Sequence, residues 1–332
     1  MGDDLDALTS QLSGGFQVDP AALALNVAGE HPRYSQFKNL SKAAEQQAKR
    51  RQEKLERQKN GLFDKMMKLR NLAFDDVTSD EEDDEEATTE AHESHHVGKY
   101  NKFGRYADKL MLSEWLVDIP ETLSEEWTMV MAPIGKRCLV VASRGFTTAY
   151  NKAGRQVGQF QSRLPGGNSR SKHQSWTILD CIYSNHVYYV LDLLSWNAHE
   201  YAENPYDFRQ FMLQSKLDET PELKMSTAGF RNIFVLAPRC KCSREDMAQL
   251  LAKENDLRLD GLLFYHKSVV YEPGQSPLVG WLKPWMLPEI LNVSIPEKYQ
   301  QESKGQSSAQ FIESFNQKHK HQSKIDRTME QD

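Results

Sequence analysis

Two tryptophans stand among residues that suit a nucleobase. Trp281 lies in Leu278-Val279-Gly280-Trp281-Leu282-Lys283-Pro284-Trp285, and Trp115 in Leu112-Ser113-Glu114-Trp115-Leu116. Lys136, Arg137 and Lys152 follow Trp115 in the chain. An indole face stacks on a base, and ammonium or guanidinium groups hold phosphates. The same tryptophans serve equally well as strand core residues, the commoner fate of the type. Asp180, Asp192 and Asp260 are spaced as paired carboxylates that bind magnesium would be. Neither a P-loop nor a dinucleotide-binding glycine pattern is present, and no Cys/His or Ser/His arrangement rises above background. Cys240-Lys241-Cys242 lacks the two-residue gap and the second pair of a zinc site. These residues point to binding more than to catalysis, with no metal or other cofactor expected.

The charge pattern divides the chain. From Arg33 to Arg70 there are twelve Lys and Arg against four acids, about +8 in all. From Asp75 to Glu93 there are eleven acids and no Lys or Arg. The formal charge of −6 hides both fields. A basic arm tethered to a folded part suggests docking or delivery.

Hydrophobic residues make up 39% of the 332, a low share concentrated between about 105 and 296. That stretch is long enough for one sizeable core. Its four cysteines fit a reducing compartment. With no long apolar run and no signal-peptide pattern, the chain is expected neither to span a membrane nor to be secreted. The Asn292-Val293-Ser294 sequon then carries no meaning. Ser79, ahead of Asp80-Glu81-Glu82, suits an acid-directed kinase.

Positioning these residues requires strands. Strand-like runs of mixed periodicity predict them over Thr128–Pro133, Arg137–Ser143, Trp176–Tyr183, Val187–Leu194, Asn232–Ala237, Leu259–His266 and Pro277–Leu282. Helices are predicted over Tyr206–Leu217, over Ser243–Lys253 with a capping-box-like start, and over Pro284–Leu291. Turn signals lie at Pro165-Gly166-Gly167-Asn168 and Pro273-Gly274. The fold class is α+β, a largely antiparallel curved sheet with flanking helices. In the arm, Ser41–Lys59 is helix-prone, Asn60-Gly61 is a candidate break, and a second stretch carries Leu62, Met66 and Leu69. The apolar stripe is thin, so this helix should order on a partner. Near the N-terminus Leu8, Leu12, Phe16 and Val18 make an apolar series that fits a groove or belongs to a mobile end.

Several stretches resemble one family, the snurportins, import adaptors for spliceosomal small nuclear ribonucleoproteins. HPRYSQFKNLSKAAEQQAKRRQEKLERQKNG is similar to an importin-β-binding domain. LMLSEWLVDIP, PIGKRCLVVASRG, RLPGGN, TILDCIY, DGLLFYHK and SPLVGWLKPWM are similar to a trimethylguanosine-cap-binding domain. The resemblance implies that Trp281 stacks on the cap guanine, Trp115 contacts its dimethylated nitrogen and Ser113 helps hold the base. Lys136, Arg137, Cys138 and Lys152 would line the phosphates and the adjacent nucleotide. An N7-methylated guanine is cationic, so stacking gains a cation–π contribution of about 0.5–2 kcal/mol. Arg33, Lys49, Arg50, Arg51 and Arg57 would meet acids of importin-β. Leu8, Leu12, Phe16 and Val18 would meet an export receptor of the exportin family.

The same resemblance extends to the nucleotidyltransferase domain of capping enzymes and DNA ligases, which attack through a lysine in Lys-x-Asp-Gly-x-Arg. Here Ala132 stands in the lysine's place and Ile134 in the aspartate's. The implied protein is a non-enzymatic adaptor shuttling between nucleus and cytoplasm. Its parts would be an export-receptor segment (1–30), an importin-β-binding arm (31–72), an acidic linker (73–98), a cap-binding domain (99–296) and a disordered tail (297–332). A guanylyltransferase-like enzyme and a general RNA-binding protein are the alternatives.

Overall fold

The computed structural model describes residues 40–75, 106–170, 175–253, 257–303 and 305–316, with the backbone alone for 40–44 and 64–75. Twelve strands form two sheets among these residues. In the first, β1 (Met111–Trp115), β12 (Gly274–Leu282), β11 (Leu259–His266), β2 (Trp127–Pro133) and β10 (Arg239–Lys241) lie side by side in that order. In the second the order is β5 (Gln156–Phe160), β4 (Phe146–Tyr150), β3 (Lys136–Ser143), β6 (Trp176–Ser184), β7 (Val187–Trp196) and β8 (His199–Glu200), with β9 (Ile233–Leu236) beside β7. Pairing is antiparallel except for β1 with β12 and β7 with β9. The predicted α+β antiparallel architecture is present, divided over two sheets. Ile134-Gly135 carries the chain from β2 into β3 and so joins them.

The sheets share a core. Met111, Leu263, Tyr265 and Val279 of the first meet Ile182 and Leu191 of the second. The far face of the first sheet, with Trp127, Met129 and Phe264, is covered by α4 (Arg244–Lys253) and α5 (Leu287–Leu291). The far face of the second packs on α3 (Tyr206–Glu219) through Leu213 and Leu217. Ser243 starts α4 as its sequence foretold: its hydroxyl accepts from the Asp246 N–H at 3.0 Å and donates to the Asp246 carboxylate at 2.8 Å. Strands β1, β4, β5 and β10 had no clear sequence pattern. Gln156–Phe160 is a mostly exposed edge strand, so one-sided burial never imposed alternation on it.

Two expectations are corrected. Asn60-Gly61 does not break the arm, which is one helix, α1 (Leu40–Asp75). A helical Gly costs about 1 kcal/mol relative to Ala, which stops a helix far less firmly than proline. Residues 297–316, apart from residue 304, are not a disordered tail. After α6 (Glu297–Gln300) the chain forms a further helix over 308–316, α7, and Tyr299, Ile312, Phe311 and Phe315 pack against the first sheet's outer core. Polar composition concealed a few well-placed apolar side chains.

Candidate nucleotide-binding site

Trp281 sits near the end of β12, in register with Leu263 of β11 and Trp115 of β1. Its indole lies against the backbone of Gly261, where any Cβ would collide with the ring. Gly261 in turn pairs with Ala132. Ala132 is therefore a buried methyl two strands from this indole. The indole is half-buried, so part of it faces solvent. The Lys283 ammonium stands 5.8 Å from the ring centroid and donates to the Asp260 carboxylate at 2.7 Å and carbonyl at 2.5 Å. Asp260, Gly261 and Lys283 thus build the seat of Trp281. The sequence offered Asp260 only as a magnesium carboxylate and gave Gly261 and Lys283 no site role, although all three lie inside the quoted stretches DGLLFYHK and SPLVGWLKPWM.

A bulge between Ser113 and Glu114 shifts the register against β12, so that Ser113 pairs with Ser276 and Glu114 with Gly280. Ser113 is half-buried. Trp115 is only 7% exposed. Phe311 and Phe315 from α7 meet its ring nearly edge-on, with centroids at 6.1 and 5.3 Å. The structure thus brings Trp115 next to Trp281 but places it under the helix that the sequence reading took for tail.

The four phosphate-side residues are not gathered at one spot. Arg137 lies between the sheets. Its Nε and Nη2 donate to Asp180 at 3.0 and 2.8 Å, and Nη2 also donates to the Met111 carbonyl at 2.9 Å. The Tyr271 hydroxyl donates to the same carboxylate at 2.8 Å and accepts from the Met111 N–H. Burial works against the guanidinium charge, but Asp180 outweighs it and holds Arg137 firmly protonated. Cys138 is buried opposite Cys181, and burial pushes its thiol up to about 12. It is a neutral packing group. Lys136 is exposed beside a cavity on the outer side of β3. Lys152 is exposed in the β4–β5 turn, where its carbonyl accepts from the Asp108 N–H. The three candidate magnesium carboxylates each face a cation instead: Asp180 with Arg137, Asp192 with Arg209 at 2.6 Å, and Asp260 with Lys283.

Helix α1 lies on this domain. Arg50 grips Glu114 with both nitrogens, at 3.0 and 2.8 Å. Arg51 pairs with Asp118, and burial draws its guanidinium down to about 10 despite the Glu114 charge. Gln47 donates to the Trp115 carbonyl at 2.8 Å and accepts from the N–H groups of Val117 and Asp118. Lys54 and Arg57 reach Glu272 at 3.0 and 3.8 Å. Lys49 pairs with its helix neighbour Glu53 at 3.8 Å. Arg33, Leu8, Leu12, Phe16 and Val18 lie outside the described residues.

Residues 31–71 match the family model described as Snurportin1, and residues 109–284 match the one described as Snurportin1, m3G cap-binding domain. Among solved structures the chain is similar to the ligase domain of LigD from M. tuberculosis, at 15% identity and a TM-score of 0.37 over 53% of this chain and 60% of that one. It is likewise similar to a mycobacterial DNA ligase D complexed with ATP and MES, at 16% identity and a TM-score of 0.37 over 54% and 61%. The chain thus spans about three fifths of those two ligases.

Proposed function

The chain belongs to the Snurportin1 family, and from that premise we propose how its parts perform cap-dependent nuclear import. It is an adaptor that binds the m3G cap and links the capped small nuclear ribonucleoprotein to importin-β. The observation that supports a cap seat here is the half-exposed indole of Trp281 on Gly261, flanked by Lys283. The cationic base stacks on Trp281. Its dimethylated nitrogen, stripped of donors, faces apolar surface at the Trp115 end of β1, and Ser113 holds an edge of the base. Lys136 and Lys152, both exposed, meet the phosphates as mobile charges. Arg137 and Cys138 act from behind, by fixing β3 against Met111 and Cys181.

The reading is non-enzymatic. Ala132 has no nitrogen with which to form a lysyl–nucleotide bond. The arm over residues 31–72 carries Arg33, Lys49, Arg50, Arg51 and Arg57 to importin-β, residues 1–30 carry Leu8, Leu12, Phe16 and Val18 to an exportin, and the protein shuttles between cytoplasm and nucleus. The cap-binding unit runs from residue 99 to at least 316, since α7 is part of its core.

Deleting residues 31–72 tests this division of labour. The shortened chain should keep its affinity for a trimethylated cap dinucleotide and lose importin-β. Loss of RNA binding on that deletion would favour a general RNA-binding protein whose arm grips phosphate.

A further inference from the structure

The outer side of the second sheet carries a cavity of about 480 Å³. Its wall holds three basic side chains, Lys136, His186 and Arg231, and three aromatic ones, Phe160, Tyr183 and Tyr188, with no carboxylate. In a chain of net charge −6 that is a selective local composition. Tyr183 is half-buried, tilted against Tyr188 at 4.8 Å and edge-on to His186. His186 is anchored by Asn232 at 3.1 Å. Among the described residues neither Lys136 nor Arg231 is paired with a carboxylate. Cations without counter-ions beside aromatic rings suit a phosphate-linked base, and the volume falls in the range of small-ligand pockets.

Its position joins it to the Trp281 seat. From Ala132, two strands from Trp281, the chain runs through exposed Ile134 to Lys136 at the cavity lip. Two strand spacings of about 4.8 Å and four residues of at most about 14 Å put the lip within roughly 24 Å of Trp281, a reach of a few nucleotides. We infer that this cavity is a subsite for the RNA downstream of the cap and takes one base with its phosphate. The inference rests on the cap reading and extends it beyond the cap itself.

The test compares a trimethylated cap dinucleotide with a trimethylated-cap hexanucleotide, titrated into the full chain carrying Arg231→Glu. Arg231 is exposed, so the variant should fold. The hexanucleotide should bind about tenfold more weakly than to the unaltered chain, and the dinucleotide within twofold of it. Equal weakening of both ligands, or of neither, overturns the subsite. Failure of the unaltered chain to bind either capped ligand would instead overturn the cap reading.

A separate observation carries a second inference. Glu114, 2% exposed, stands between Ser113 and Trp115 and is clamped by Arg50, while Gln47 donates to the Trp115 carbonyl. The cations proposed to meet importin-β, Arg50, Arg51 and Arg57, are thus engaged by Glu114, Asp118 and Glu272 of the cap-binding domain. We propose that this acidic strip is a docking surface for the chain's own arm, in competition with importin-β, and that cap binding beside Glu114 loosens it. Linkage makes the effect reciprocal. Importin-β affinity of the full chain should rise about tenfold with saturating cap dinucleotide. An Asp118→Asn, Glu272→Gln variant, with an intact arm, should bind importin-β tightly without cap. An importin-β affinity indifferent both to cap and to the double substitution overturns the coupling.

Discussion

The arm and the cap-binding domain use ion pairs in opposite ways. Inside the domain, Arg209 and Asp192 are both fully buried and joined by two hydrogen bonds, at 2.8 and 2.6 Å, with Asn204 and Val269 carbonyls accepting the remaining guanidinium nitrogen. Such a pair is fixed: losing one partner strands the other charge where water cannot reach it. On the arm, Arg57 is 72% exposed and its partner Glu272 37%. Pairs of that kind contribute little each and are weakened by salt. Among its described residues the arm gains its hold from the contacts of buried Gln47 and Arg51 and part-buried Arg50, and Leu62 and Phe63 stay exposed. A region that must change partners is held by charge, and a region that must keep its shape is held by apolar packing around buried, fully paired ions.

The largest way to break this contrast is Arg209→Ala. It should cost the domain about 3–5 kcal/mol, read as a fall in the urea midpoint. A change below 1 kcal/mol would mean that the interior pair is no more committed than the arm's. Next comes the division between the tryptophans. Trp115→Ala removes a ring enclosed by Phe311 and Phe315 and should cost about 3–5 kcal/mol of stability. Trp281→Ala should leave the fold intact and lower cap affinity about 10- to 100-fold, the worth of one base–aromatic stack. Calorimetry of both variants separates the roles.

Arg51→Glu should free the arm. Hydrogen exchange over residues 45–63 should rise at least tenfold while exchange in β2, β6 and β11 stays constant. The smallest effect is with pH. Burial would raise the Glu272 carboxyl, but Lys54, Gln58 and Arg57 outweigh it and hold it below its ordinary value of 4.5. A depressed carboxyl stabilises docking above the unfolded value, and that contribution is lost as pH falls through the lower, docked one. Arm protection should therefore weaken below pH 4.5, and Glu272→Gln should reduce that dependence while the Glu114 and Asp118 pairs keep the rest.

Much of this was legible in the sequence, for physical reasons that differ by element. Leu259–His266 and Lys136–Ser143 are central strands, and central burial wrote a continuous apolar signal into them. The Ser243 cap was readable because it uses only local hydrogen bonds. Trp281 was legible as an aromatic among cations, but its seat on Gly261 depends on pairing between strands about twenty residues apart in the chain. The enclosure of Trp115 was not legible because its cover, Phe311 and Phe315, comes from a polar-looking stretch some two hundred residues away. The pairing of Arg137 with Asp180 was not legible because nothing local to Arg137 names that carboxylate. The arm's docking was invisible for the same reason: Glu114, Asp118 and Glu272 form one strip only after β1 and β12 have paired.

The most direct measurement is a titration of the full chain with trimethylated and with monomethylated cap dinucleotide, following tryptophan fluorescence, alongside Trp281→Ala. The account predicts quenching with a clear preference for the trimethylated cap, and loss of both signal and preference in the variant. Equal weak binding to the two caps, or a variant that binds as well as the unaltered chain, would contradict it.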